Sequence, residues 1–116
     1  MSRAPAPPVV VRRGQVWWVD LDPTRGSEIR KRRPAIVLSA DALNRARRTM
    51  VIVPLSTGPS PRPPIVVAVP SAGSNSVAVC DQIRAVDKTR LIKPEGQLNA
   101  ADLRSVEDGV RAVLEL

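Results

Sequence analysis

Residues 14–21 read Gly-Gln-Val-Trp-Trp-Val-Asp-Leu, and they run directly into Asp22-Pro23. Valine and tryptophan favour a pleated strand, and Asp-Pro is a turn signal. The stretch therefore predicts a β-strand that ends close to Asp22. Because successive side chains of a strand point to opposite faces, Trp17 and Trp18 are expected on opposite sides of the sheet.

Further strands are predicted by short runs of valine, isoleucine and leucine, each bounded by a turn signal. They cover residues 35–39, 50–55, 65–69 and 91–92, with one long strand or a bent pair over 76–86. Residues 22–33 and 56–64 are predicted loops, the first basic and the second rich in proline. Pro54 is expected to place its strand end at a sheet edge or bulge, and Asp41 to cap a brief helix over 42–45.

The end of the chain predicts an amphipathic helix, which Asn99 can cap and whose first turn suits the charge of Asp102. Its apolar residues fall on one face: Leu103, Val106, Val110, Val113 and Leu114. Short strands closed by one helix predict a mainly β (α+β) fold, a small half-open β-barrel. Residues 1–12, rich in alanine and proline, are expected to form a flexible arm before a single domain over 13–116.

The composition excludes several classes of protein. Cys80 is the single cysteine, so it forms no internal disulfide, and its apolar neighbours favour a buried thiol over a nucleophile. No apolar run approaches the length of a membrane span, and the N-terminus lacks the apolar core of a signal peptide. We therefore expect a reduced, cytoplasmic protein with no membrane partner.

The net charge of +7 lies entirely in the first part of the chain. Residues 1–48 hold 11 basic and four acidic side chains, whereas residues 49–116 hold seven of each. The positive charge is densest at Arg30, Lys31, Arg32 and Arg33. Such a patch attracts nucleic-acid phosphates, although charge alone fits a solvated loop and a solubilising tail equally well.

The chemistry available is narrow. The chain has no histidine, which excludes a histidine acid–base pair, and it has no glycine-rich phosphate loop. Its carboxylates are scattered, so neither a metal site nor a cofactor is expected. What remains is the basic loop and, further on, the adjacent hydroxyls of Ser56 and Thr57.

Four blocks of the chain, in order and with matching spacing, resemble the MazF/PemK toxins. They are Arg-Gly-Gln-Val-Trp-Trp-Val-Asp-Leu-Asp-Pro at 13–23, Gly-Ser-Glu at 26–28 with Arg-Pro-Ala-Ile-Val-Leu-Ser at 33–39, Val-Pro-Leu-Ser-Thr at 53–57, and Ser-Val-Ala-Val-Cys-Asp-Gln-Ile-Arg at 76–84. The resemblance implies a dimeric SH3-like barrel, the toxin of a toxin–antitoxin system, that cleaves single-stranded messenger RNA without metal.

The same resemblance assigns residues to roles. It implies Arg33 as the key arginine, Ser56 as the catalytic hydroxyl and Glu28 as an acidic partner. RNA binding is expected at Arg25, Ser27, Arg30, Lys31, Arg32, Thr57, Asp81 and Gln82. Some PemK-type members carry a histidine at the Ser27 position and an arginine at the Val79 position, so mechanisms that use those groups are excluded here.

Metal-free cleavage of RNA uses the ribose 2′-hydroxyl as nucleophile and leaves a 2′,3′-cyclic phosphate and a 5′-hydroxyl. It needs a base and donors to the crowded phosphorane oxygens. Arg33 offers a planar fork of donors, Ser56 and Thr57 offer hydroxyls, and Glu28 is a possible base. Of the two tryptophans, one is expected in the core and the other at a dimer surface or against an RNA base. With no other aromatic residues, the stacking platforms of RRM or OB modules are not available.

The expected partners are single-stranded RNA, a second copy of the chain, and a MazE-like antitoxin that lays an acidic segment over the basic groove. Two alternatives stay open at this point. One is a non-catalytic, gyrase-poisoning toxin of the CcdB type, although that family uses a Trp-Gly-Ile ending and this chain ends Leu-Glu-Leu. The other is a structural RNA-binding barrel, which explains the charge but not the arginine, serine and glutamate together.

Overall fold

The computed structural model describes residues 10–23, 25–29 and 31–116, and these form seven strands and two α-helices. The elements are β1 (Gln15–Asp20), β2 (Arg32–Val37), α1 (Asp41–Ala46), β3 (Thr49–Ser56), β4 (Val66–Ala68), β5 (Val77–Val79), β6 (Arg84–Asp87), β7 (Leu91–Gln97) and α2 (Ala100–Leu114). Single 3₁₀ turns lie at Pro70–Ala72, Cys80–Gln82 and Lys88–Arg90. The Cys80–Gln82 turn separates β5 from β6, which confirms the bent pair predicted over 76–86.

The strands form one antiparallel sheet in the order β4-β5-β3-β2-β1-β7, with β6 also paired to β3. This arrangement, with α2 packed against one face, confirms the predicted mainly β (α+β) class. β4 and β7 stand at the two ends of the order, so the sheet stays open.

The central strands are buried on both faces, which explains their continuous apolar sequences. One face packs beneath α2, where Val106 and Val110 contact sheet residues such as Ile36. The opposite face packs around Trp17, which is 7% exposed, whereas Trp18 is half-buried. The two tryptophans therefore lie on opposite sides, as predicted.

Two strands extend beyond their predicted limits because pairing with a neighbour depends on residues distant in sequence. β2 begins at Arg32 rather than residue 35, since Arg32 and Arg33 pair with β1, so the basic loop is shorter than 22–33. β7 runs to Gln97 through Pro94, which is tolerated because β7 lies at the edge of the sheet.

Of the two positions predicted for Pro54, the sheet edge is wrong, because β3 lies in the interior of the sheet. Pro54 is buried and pairs with Ala35 of β2. On its other edge, β3 changes partner from β6, which pairs up to Ile52, to β5, which pairs from Leu55. Pro54 lies in the gap between these two ladders.

Side-chain hydrogen bonds fix the first residues of both helices. The side chain of Asn99 accepts a hydrogen bond from the Asp102 backbone N–H at 2.8 Å, which confirms the predicted cap of α2. Asp41 is instead the first residue of α1, and its carboxylate accepts from the Arg13 backbone N–H at 2.7 Å. The Asp102 carboxylate, 8% exposed, also accepts from the Ser71 N–H and hydroxyl, which fixes the segment before β5 to the start of α2.

Residues 1–9, most of the predicted arm, lie outside the described residues, as does Arg30. Val11 is 4% exposed and packs in the core around Trp17. Neither helix in the described part of the chain is long and apolar enough to cross a membrane.

Candidate active site

The pairing of β2 with β3 aligns the predicted arginine with the predicted hydroxyl. The ladder pairs Val37 with Ile52 and ends at Ala35–Pro54. Continuing this antiparallel register by two residues sets Arg33 opposite Ser56, each within its own strand. Residues opposite each other in an antiparallel pair lie on the same face, so this extended register indicates that Arg33 and Ser56 share a face.

A groove of about 540 Å³ lies at these strand ends. Arg33 and Ser56 are half-buried in it, and Arg32 and Thr57 are exposed beside them. Ser56 Oγ accepts from the Gly58 N–H at 3.4 Å, a bond that leaves its hydroxyl hydrogen available to a ligand. The other lining residues are Trp18, Pro34, Leu55, residues 72–76 and Glu95.

Among the described residues, the other predicted site residues do not line this groove, and most of them form or hold the β1–β2 loop. Glu28 closes its own turn, because its Oε1 accepts from the Arg25 backbone N–H at 2.7 Å. Gln82 Oε1 accepts from the Ile29 N–H at 3.3 Å, and its Nε2 donates to the Ser27 carbonyl at 3.4 Å. Asp81 and Lys31 are exposed at the surface.

The base of this loop is held by two arginines that the sequence did not indicate. Arg90 Nη1 donates to the Asp20 carbonyl at 3.1 Å and also to the Asp22 carbonyl. Arg84 Nη1 donates to the Leu21 carbonyl at 3.4 Å. Their acceptors are backbone carbonyls, which every residue has. No acidic residue in the sequence therefore marks these contacts.

Hydrogen bonds to Asp22 and Leu21 fix Lys31, the residue immediately before Arg32 and Arg33. Lys31 has a left-handed backbone with φ of 68°, which is unfavourable for a residue with a side chain. The Asp22 carboxylate accepts from the Lys31 N–H at 3.0 Å, and the Lys31 carbonyl accepts from Leu21 at 3.0 Å. The loop therefore enters β2 at a defined position, which sets the start of the groove.

Cys80 lies in the core beneath α2 and has no exposed surface. Burial, together with the nearby negative charge of Asp81, raises the pKa of its thiol to about 11. The thiol is therefore neutral near pH 7, which confirms the predicted buried cysteine. Across the described ranges, no three histidine, cysteine, aspartate or glutamate side chains come together as a possible metal site.

Residues 12–114 match the model of the family described as PemK-like, MazF-like toxins of type II toxin–antitoxin systems. The chain belongs to this family. The predicted resemblance and the predicted class of enzyme, an endoribonuclease, are thereby confirmed.

Individual relatives agree over nearly the whole chain. The endoribonuclease MazF9 of Mycobacterium tuberculosis H37Rv is 33% identical over 116 residues, which cover 92% of this chain and 98% of that protein. The crystal structure of MazF from Deinococcus radiodurans superposes with a TM-score of 0.83 at 27% identity, over 94% of this chain and 100% of that one. A mycobacterial endoribonuclease in complex with its cognate antitoxin has a TM-score of 0.74 at 26% identity, over 92% of this chain and 95% of that one.

Proposed function

We propose that this toxin cleaves single-stranded messenger RNA at a short sequence, without a metal ion, in the groove that holds Arg33 and Ser56. The ribose 2′-hydroxyl attacks the adjacent phosphorus, and the products are a 2′,3′-cyclic phosphate and a 5′-hydroxyl. The observation that supports the proposal is the groove itself, because Arg33 of β2 and Ser56 of β3 both line it and bring a guanidinium and a hydroxyl to one open cavity.

Arg33 is assigned to the phosphorane oxygens. Its planar fork of donors matches two of these oxygens, and its pKa above about 12 makes it an electrostatic stabiliser rather than a proton donor. Ser56 donates a hydrogen bond to the same group, and Thr57, exposed beside it, is a secondary donor. These groups stabilise charge that develops in the transition state, which is where donors accelerate a reaction most.

Glu28 is the carboxylate assigned to remove the 2′-hydroxyl proton. Its Oε1 is engaged by the Arg25 N–H, and the side chain does not line the groove. A role as base therefore requires the turn at 25–28 to open towards the groove when RNA binds. Without that movement Glu28 only anchors its loop.

The basic residues of the loop are assigned to RNA binding. Arg32 lines the groove, and the exposed Arg25 and Lys31 flank it on the loop. Arg30 adds a fourth positive charge in the same stretch of sequence. In this assignment Ser27 and Gln82 hold the shape of the loop through their mutual hydrogen bond, and Asp81 presents an exposed carboxylate beside them.

The proposed protein partners are a second copy of the chain and a MazE-like antitoxin. A related mycobacterial endoribonuclease has been solved with its cognate antitoxin, which supports an antitoxin for this chain. Because the net positive charge lies in residues 1–48, an acidic antitoxin segment is expected to bind over the same groove. Its affinity should fall steeply with salt, and it should compete with RNA.

The test is to incubate purified protein with a long RNA in excess EDTA and to map the new 5′ ends by sequencing. Recurrent cuts at one short sequence are expected, and Ser56→Ala should weaken every cut. Uniform degradation, or equal cutting by the Ser56→Ala protein, would contradict the proposal.

A further inference from the structure

The groove contains a carboxylate that phosphate binding does not explain. Glu95 of β7 lines the same groove as Arg32 and Arg33. A negative side chain repels a phosphate, so its presence in a groove for nucleic acid indicates contact with another part of the nucleotide. A carboxylate accepts hydrogen bonds from the N–H groups of a base edge.

The backbone aims Glu95 by means of a β-bulge. Along β1, Val16 pairs with Gly96 and the next residue, Trp17, pairs with Pro94. Glu95 is therefore the extra residue of β7, without a partner in the ladder. Bulges redirect side chains and occur often beside active sites. The left-handed backbone of Gly96, with φ of 147°, permits this local bend.

The position of Glu95 separates it from the proposed catalytic pair. β7 and β3 are separated in the sheet by β1 and β2, which are three strand spacings or about 14 Å. Ser56 and Glu95 therefore line the groove from strands that are not neighbours. Trp18 of β1 lines the same groove, and it pairs with Pro34 on one side and Lys93 on the other.

Trp18 offers the groove an aromatic surface. Its indole is half-buried, in contrast to the buried Trp17. Stacking on an aromatic ring binds any base, because every base has a π-face. Hydrogen bonds to the base edge then discriminate between bases. Glu95 is positioned to accept such hydrogen bonds.

The carboxylate is accessible for such a contact. Its one ion pair among the described residues joins Glu95 Oε1 to Lys93 Nζ at 3.5 Å, and these side chains are 37% and 65% exposed. An exposed pair of this kind is weak and can yield to a ligand.

We infer that Glu95 and Trp18 form a pocket for a guanine base next to the cleaved bond, an inference that rests on the proposed function. The Watson–Crick edge of guanine presents two adjacent donors, N1–H and N2–H, which match the two carboxylate oxygens in a bidentate contact. Adenine and cytosine place an acceptor beside their amino group, and uracil places its single donor between two acceptors. The groove thus orients the nucleotide, with phosphate towards Arg33 and guanine towards Glu95.

The test uses a randomised single-stranded RNA pool, cleaved in EDTA and sequenced at the cut ends. The wild-type protein should require guanine at one fixed position near the cut. Glu95→Gln should reduce that preference by about ten- to a hundred-fold, the scale of hydrogen bonds to a charged group, while cutting continues at other sequences. Asp108→Asn, which removes the same charge from the exposed surface of α2, should keep the wild-type preference.

A second arm replaces the guanine of a cleaved oligonucleotide with inosine, which lacks the N2 amino group. This change should slow the wild-type protein and have little effect on Glu95→Gln. Cuts by the wild-type protein without guanine nearby, or an unchanged preference in Glu95→Gln, would overturn the inference and leave the proposed function standing. A wild-type protein that cuts no RNA would overturn both.

Discussion

Replacing Arg33 with alanine is expected to slow the chemical step while RNA binding changes little. Arg33 lies half-buried in the groove, opposite Ser56 by strand register and paired with Val19 in the β1–β2 ladder. A donor held in this way can contact the transition state with little reorganisation. Its removal should cost roughly 10²–10³ in rate, about 2.7–4 kcal/mol of transition-state stabilisation. Arg33→Lys should be nearly as slow, because an ammonium keeps the charge and loses the two-pronged geometry.

The matched control is Arg32→Ala. Arg32 lines the same groove one residue earlier, but its side chain is exposed, whereas that of Arg33 is half-buried. Its loss should weaken RNA binding and reduce the salt slope by about 0.7, the share of one phosphate contact on a single strand. The chemical step should stay nearly intact, as it should in Lys31→Ala.

Single-turnover cleavage of a saturating RNA oligonucleotide separates the two effects, and circular dichroism shows whether each variant is folded. Rate losses of equal size at Lys31, Arg32 and Arg33 would mean that the cluster acts only as an electrostatic patch. The catalytic role of Arg33 would then be wrong.

Three further changes test other parts of the account. Arg90→Ala removes the donors to two carbonyls at the start of the β1–β2 loop, so it should lower kcat by up to about 10²-fold in a folded protein. Arg90→Lys should recover part of this activity. A change in KM alone would contradict the role of Arg90 in positioning the loop. Gly109→Ala should destabilise the protein by about 1–3 kcal/mol in urea unfolding, although alanine has the better helix propensity. The reason is that the new Cβ would lie 2.6 Å from both Cys80 Sγ and the Pro64 carbonyl oxygen. A variant more stable than the wild-type protein would contradict this close packing. Glu28→Gln should slow single-turnover cleavage by roughly 10²-fold if Glu28 is the base, and a wild-type rate would reduce it to a loop anchor.

Sequence patterns predicted the parts of the fold that local chemistry decides. The Asn99 cap, the strand before Asp22 and the bend after β5 each depend on a few neighbouring residues. The start of β2 at Arg32 was not predictable in this way, because it depends on pairing with Asp20 of β1. The sheet edge predicted as one alternative for Pro54 was wrong for the same reason, since its position between two ladders is set by residues 77–87.

The same distinction between local sequence and three-dimensional contacts applies to the residues of the candidate site. Arg33 and Ser56 were indicated by the family resemblance, and both line one groove. Glu95 and Arg90 were not indicated, because one depends on a bulge against β1 and the other on backbone carbonyls across the fold. Glu28 was indicated by its motif, yet its carboxylate is bonded within its own turn. Such contacts depend on three-dimensional neighbours that a linear pattern does not contain.

The chemical identity of the cleavage products tests the central proposal most directly. A defined RNA oligonucleotide is cleaved to completion in excess EDTA, and the masses of both fragments are measured. Attack by the 2′-hydroxyl predicts a 5′ fragment that ends in a 2′,3′-cyclic phosphate and a 3′ fragment that begins with a 5′-hydroxyl. Fragments with a 3′-hydroxyl and a 5′-phosphate, or cleavage that appears only after Mg²⁺ or Mn²⁺ is added, would contradict the metal-free mechanism assigned to Arg33 and Ser56.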